Sequence, residues 1–218
     1  MRKSDYSTRI NAYYIFIHPY FPLLPPPVVA QYEDKCISVE VRSTHANAST
    51  LPYWPTSPLG LALAAILTLI PPPGDSNSAD NGAAALRRSY AHSYARSALE
   101  SLEDLLEPSS QANLAEGPRS TLHYAIPQKM EPVLALALLS LYECCQRGNV
   151  PKMRLRANQA LTAAMDLSLH TETPQTGFVD AHRRCWWAVV SKIHLSVLMI
   201  LMKADVSRIP VIYNDCIG

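Results

Sequence analysis

His182 and Cys185 stand three residues apart, so on a helix they share a face. A Cys–His pair is the beginning of a nucleophile, but it needs an activated thiolate, an orienting third group and an oxyanion site. No sequence feature indicates any of these. Cys144 and Cys145 close an apolar run, where free cysteines behave as small buried hydrophobes. The chain has five cysteines in all, and Cys36 and Cys216 complete the set. The odd number and irregular spacing argue against a disulfide framework. No Cys-x-x-Cys is present to begin a tetrahedral zinc site. The seven glycines never take the spacing of a phosphate-cradling loop, and no carboxylate pair is arranged for acid–base work. The expectation is a non-enzyme, with no residue assigned to catalysis, a cofactor, a metal or DNA, and with no stoichiometric zinc.

The remaining reactive-looking residues read as packing groups. Trp186 and Trp187 are adjacent and point about 100° apart on a helix, so one enters the core while the other meets a seam or solvent. Arg183 and Arg184 precede them. One of the two is expected to bury its stem under a tryptophan and pair with a carboxylate, Glu143 or Asp166. His170 falls in the last turn of a helical stretch, where it would bond terminal carbonyls. Formal net charge is +1 and only 17% of residues are charged. Phosphate neutralisation needs clustered Lys and Arg, whereas Arg87-Arg88 and Arg183-Arg184 are isolated pairs, so no specific duplex binding is expected.

The elements that must position these residues are helices. At 218 residues, 48% of them hydrophobic, the chain can bury one substantial core as a single domain, 1–218. Asp5 to Ile17 reads as a first helix ended by His18-Pro19. Pro19 to Pro27 is extended, Val28 to Cys36 a short helix, and Ser38 to Pro58 irregular. Leu59 to Ile70 is apolar on all faces and should be buried, with Ser57 as cap and Pro58 in the first turn. Pro71 to Gly82 and Glu107 to Ser120 are loops. Between them Ala83 to Leu106 carries one stripe, Ala91, Ala95, Ala98, Leu99, Leu102, Leu105 and Leu106. A helix from Pro132, with Leu138 and Leu141 in the core, runs to Gln146 and stops at Gly148. The next carries a stripe of Met153, Ala157, Ala160, Leu161, Ala164 and Met165. Their short connection predicts an antiparallel pair. A last helix begins near Phe178. The predicted fold is all-α: a multi-helix bundle of antiparallel hairpins with Pro-rich loops. No signal peptide is legible, because the run Ala12 to Ile17 is too short. Trp186 to Met202 contains Lys192 and His194 and falls short of the ~20 apolar residues of a membrane span.

Three features form an ordered signature: the apolar helix from Pro132 to Glu143, the Met153–His170 helix ending Leu167-Ser168-Leu169-His170, and the run His182-Arg183-Arg184-Cys185-Trp186-Trp187. A second piece lies upstream, Tyr13-Tyr14-Ile15-Phe16-Ile17-His18-Pro19-Tyr20-Phe21-Pro22-Leu23-Leu24. Together they resemble the middle homology region of fungal transcription factors of the binuclear zinc-cluster type, most strongly over Glu131 to Ser196. The family usually has Leu-Gly-Leu-His, and here Ser168 stands for the Gly. It often has Asp-Arg on the tryptophan helix, and here the nearest positions are Ile193-His194.

The resemblance implies a helical, nuclear regulatory domain that controls transcription of target genes, such as a biosynthetic or metabolic cluster. It implies partners among other segments or subunits of a transcription factor, a small-molecule effector and a homodimer, with no membrane and no direct DNA contact by this chain. The family's six-cysteine DNA-binding element is not in the sequence. The alternative expectations are a helical protein-interaction scaffold that does not bind DNA, or a regulator truncated after Gly218 and inactive.

Overall fold

The computed structural model describes residues 12–27, 55, 57–71, 81–106, 122–123, 125–171 and 178–208. Those residues are 75% helical and contain no strand, so the fold is all-α. Among the described residues five α-helices run in order: α1 Pro58–Leu67, α2 Asn81–Leu106, α3 Glu131–Cys145, α4 Val150–Asp166 and α5 Val179–Arg208. A π-helical turn at Tyr13–Ile17 precedes them, and a 3-10 turn at Gln128–Met130 leads into α3. The expected helices over residues 5–11 and 28–36, both long loops beyond their edges, Cys36 and Cys216 lie outside the described residues.

α3 is the centre. It packs against each of the other four helices, most extensively against α4 and then α1. That position explains its composition. A helix contacted all round has no solvent face to make polar, and every residue from Val133 to Ser140 is buried. α1 lies against both α2 and α3 and is buried along almost its whole length, as its uniformly apolar sequence predicts. Ser57 begins it: its Oγ accepts from the Gly60 N–H at 3.0 Å, and Pro58 occupies the first turn. Gly60 is required by close approach, since a Cβ there would sit 2.8 Å from the Cβ of Pro55.

α2 turns Ala91, Tyr94, Ala95, Ala98 and Leu102 inward, while Leu99 and Leu105 are half-buried. It starts two residues earlier than the stripe suggested, at Asn81. Gln146 to Asn149 joins α3 to α4. Gly148 takes the left-handed conformation, φ 58°, and its N–H bonds the Cys144 carbonyl at 3.1 Å. Asn149 then begins α4, its side chain accepting from the Lys152 N–H at 3.0 Å. Met153, Ala157, Ala160 and Ala164 form the buried stripe of α4. Two expectations need correction here. Met165 is 51% exposed, because the four-three-four spacing of that stripe ends on Ala164 and rotates Met165 outward. Leu141 is only half-buried, since Leu138 and Tyr142 continue the inward register of α3.

Candidate functional site: a basic and aromatic seam

The chemistry-bearing residues of α5 face different surroundings. Cys185 is fully buried, and burial pushes its thiol up to about 12. At neutral pH it is therefore a protonated core side chain, the opposite of an activated thiolate. His182 is half-buried, with its basicity lowered by desolvation and by the charge of Lys129. Trp186 packs against the core while Trp187 is 63% exposed, which is the division expected of two adjacent tryptophans. Cys144 is half-buried and Cys145 exposed, so the expectation that both lie in the core is corrected. They end α3 where it emerges from its neighbours.

The expected pairing of Arg183 or Arg184 with Glu143 or Asp166 does not occur. Arg183 reaches Asp180, one turn back on its own helix, at 4.0 Å, and both side chains are exposed. Glu143 meets Arg147 at 3.5 Å. The shorter path along one helix wins, and a second nitrogen of Arg147 approaches Nδ1 of His92 on α2 at 3.0 Å. Asp166 is exposed at the end of α4. His170 also departs from expectation. α4 ends at Asp166, and the carbonyls of Ala164 and Met165 accept from the backbone of Leu169 and Ser168. Exposed His170 lies past that turn, its ring centroid 6.0 Å from that of Trp186.

The charge of Arg184 instead bears on the segment that precedes α1. There the tight turn after Tyr13–Ile17 folds back on one phenol. The buried Tyr13 hydroxyl accepts from the Leu23 N–H at 2.8 Å and the Leu24 N–H at 3.0 Å, and donates to the Phe21 carbonyl at 3.1 Å. Its burial raises the phenol far above its usual range. Tyr14 donates to the Pro25 carbonyl at 3.0 Å. The Pro-dense segment has few N–H groups with which to build structure of its own, and these hydroxyls supply the missing partners. Tyr13 meets Tyr14 and His18 edge to face, and Tyr14 and His18 are tilted against each other, with centroids 5.1, 5.6 and 5.2 Å apart.

α5 closes over this segment with two cations. Lys192 is buried at 7% exposure and holds Nζ 3.7 Å from the centroid of Phe21. Desolvation pulls its amine down to about 8. Two turns earlier on the same face, the charge of Arg184 bears on Tyr13, Tyr14, His18 and His123. His18 and His123 are both made less basic, mainly by desolvation and then by Arg184. Sequence reading singled out the arginine pair and the His-Pro segment separately, and took Lys192 only as a charge that interrupts an apolar run. A lysine inside an apolar helix face was the available signal.

Among the described residues no group of three or more His, Cys, Asp or Glu could hold a metal ion, and no helix is long and apolar enough to cross a membrane. No protein-family model, no curated protein and no solved structure matches this chain.

Proposed function

We propose that this chain is the regulatory, middle-homology-like domain of a fungal transcription factor of the binuclear zinc-cluster type, acting in the nucleus on transcription of target genes. One observation carries the reading. The two separated pieces that resemble the family are in contact: the His-Pro segment sits against α5 through Phe21 and Lys192, on the helix that holds Arg183-Arg184-Cys185-Trp186-Trp187. A chance likeness of two short stretches would have no reason to pack together. Ser168 adds support. It has φ 54° at the position where the family usually carries glycine, the conformation that glycine adopts without cost. In the same reading α3 and α4 run antiparallel, as their short connection favours, and the chain modulates activity rather than contacting DNA or catalysing a reaction.

A reporter assay tests this. The chain is placed between a heterologous DNA-binding domain and an activation region in a fungal host, and reporter output is compared with a fusion carrying an unrelated helical domain of similar length. A change of output that core-disrupting variants abolish is expected. Output equal to the unrelated domain would count against the reading.

The helical-scaffold alternative has one observation in its favour. Trp187, Val197 and Leu198 are exposed on α5, at 63%, 48% and 55%, and their spacing places them toward one side of the helix. Unchanged reporter output, together with recovery of a specific protein complex that Trp187→Ala abolishes, would select it.

A further inference from the structure

We infer that the joint between α3 and α4, together with the first half of α2, is a docking surface for an acidic peptide whose carboxylates alternate with apolar side chains. The fold gathers the charge. Residues 81–96 of α2 hold arginines and a histidine but no acid, and Glu100, Glu103 and Asp104 follow only in its last turns. Arg147, Lys152, Arg154 and Arg156 form a second run, with no acid between Glu143 and Asp166. The two runs are 55 residues apart at His92 and Arg147, yet they touch there: a nitrogen of Arg147 stands 3.0 Å from Nδ1 of His92. Arg88 and Arg96 lie one turn to either side of His92 on the same face of α2. Arg147 is exposed and leads through Gly148 and Asn149 into α4, where Lys152 stands in the first turn.

Most of this charge is not neutralised within the fold. Among the described residues Arg96 pairs with Glu100 and Arg147 with Glu143, and no ion pair involves Arg88, Lys152, Arg154 or Arg156. Arg88, Lys152 and Arg154 are exposed. Arg156 reaches Gln159 at 2.9 Å and leaves its Nε buried without a hydrogen-bond partner. The arrangement works against the helices. The first turn of α4 has a lysine and no acid, although the positive end of a helix disfavours a cation. Lys152 and Arg156 also repeat like charge at a four-residue step. An anionic partner relieves both costs.

What lies between the cations sets the kind of anion. Leu155 is 51% exposed, directed away from the buried stripe of Met153, Ala157 and Ala160. Arg154 and Arg156 project about 100° to either side of it. A leucine in water between two arginines fits a partner that sets an apolar side chain between carboxylates. A phosphate backbone has no apolar group to place there. A net charge of +1 also gives the chain little long-range field to gather a nucleic acid. This surface is separate from the α5 seam and does not depend on the regulatory reading.

The test uses the full chain and fluorescence anisotropy, with a labelled peptide of alternating acidic residues and leucines as probe. A matched peptide with Gln and Asn for the acids removes the charge, and a duplex oligonucleotide is the polyanion without apolar side chains. Saturable binding of the acidic peptide that weakens as salt is raised is expected, with no saturable binding of the neutral peptide and weaker binding of the duplex. Arg88→Gln combined with Arg154→Gln should weaken the acidic peptide about tenfold or more, and Leu155→Ser several-fold. All three side chains are exposed, so circular dichroism should show the parent fold in both variants. Arg183→Gln, exposed on α5, should leave binding unchanged. Absence of saturable binding, equal binding of the neutral peptide, tighter binding of the duplex, unchanged affinity in either the arginine or the leucine variant, or an equal loss in Arg183→Gln would each overturn the assignment. A reporter assay that fails while the acidic peptide binds would refute only the regulatory reading.

Discussion

The α3–α4 pair and the His-Pro segment are ordered by different forces. Along α3 the buried residues from Val133 to Leu139 are entirely apolar, and along α4 alanines at 157, 160 and 164 bring the backbones close. Burial there is non-directional and spread over many side chains, so any one residue of similar size can be exchanged at modest cost. Residues 13–25 also bury apolar side chains, Ile17, Phe21, Leu23 and Leu24, but Pro19, Pro22 and Pro25 remove backbone donors. Their order rests in addition on the Tyr13 hydroxyl with its three backbone partners, on Tyr14, and on a lysine under Phe21. Such an arrangement is directional and brittle: each partner is satisfied by one atom, and removing that atom leaves buried groups unpaired.

Substitutions can break this contrast. The largest effect is expected from Leu138→Ala combined with Trp186→Ala. Leu138 is fully buried and Trp186 packs against the core. A buried Leu→Ala costs ~2–5 kcal/mol and a buried Trp→Ala ~3–5, of which half-buried Trp186 should contribute the lower part. The sum is a large share of the ~5–15 kcal/mol of a typical domain. Circular dichroism melts should show the double variant unfolded or melting far below the parent; wild-type stability would refute the helical core. Tyr13→Phe should come next, at about 2–4 kcal/mol, although it deletes one atom. The buried Leu24 N–H would lose its acceptor, and the Leu23 N–H would keep only the Phe21 carbonyl at 2.9 Å. A loss below ~0.5 kcal/mol in denaturant titrations would show that the segment does not depend on that hydroxyl.

The same contrast separates what was legible from what was not. Helix α1, the start of α3 at the Pro132 turn, the stop at Gly148 and the Ser57 cap are local features, and periodicity with capping chemistry located them. The division between Trp186 and Trp187 follows from the 100° step of a helix. Missing were the contacts between distant segments. No periodicity says that Lys192 will meet Phe21, or that Glu143 will pair with Arg147 rather than with Arg183 or Arg184. These depend on how α5 lies against residues 13–25, which only the packed core determines. The stripe errors at Met165 and Leu141 arise one residue from a correct position, where the 3.6-residue repeat drifts against the residue count.

Titration gives a sharper test of the seam at smaller cost. Charged Lys192 is disfavoured in the fold, its amine lowered from 10.5 to about 8. Below pH 8 both folded and unfolded chains carry the proton, and the burial penalty is present in full. Between about pH 8 and 10.5 the folded chain releases it first, so stability contributed at this site rises with pH. Lys192→Met should remove that rise and stabilise the protein at pH 7 by about 1–3 kcal/mol, the lifted penalty being partly offset by loss of the Phe21 contact. The histidines act at lower pH. His18, His123 and His182 are all less basic in the fold than the ordinary 6.5. Their contribution is present above pH 6.5 and is lost as pH falls through their folded values. Denaturation midpoints taken from pH 8 down to pH 5 should fall, and His18→Gln should flatten the slope. A flat wild-type profile across both windows would mean that the seam is more solvated than its packing indicates.

The smallest predicted effect bears most directly on the family resemblance. Ser168 sits in the left-handed region at φ 54°. Its N–H bonds the Met165 carbonyl at 2.8 Å, and the Leu169 N–H bonds the Ala164 carbonyl at 3.0 Å. This is the Schellman arrangement, and the buried contact of Leu169 near Ala164 belongs with it. A non-glycine residue in that conformation is strained by ~1–2 kcal/mol. Glycine relieves the strain but gains freedom in the unfolded chain, which returns ~0.4–1 kcal/mol. Ser168→Gly should therefore stabilise by roughly 0.5–1 kcal/mol, raising the melting temperature by a few degrees. Ser168→Val should lower it, because a β-branched residue tolerates positive φ least. Gly148→Ala supplies the matched control at φ 58°, where a Cβ would meet no neighbour within 4 Å, so its loss reports conformational strain alone. If Ser168→Gly leaves the melt unchanged while Gly148→Ala lowers it, the turn after α4 is not the glycine-type cap that the likeness to Leu-Gly-Leu-His requires. The resemblance would then rest on the tryptophan helix and the His-Pro segment alone.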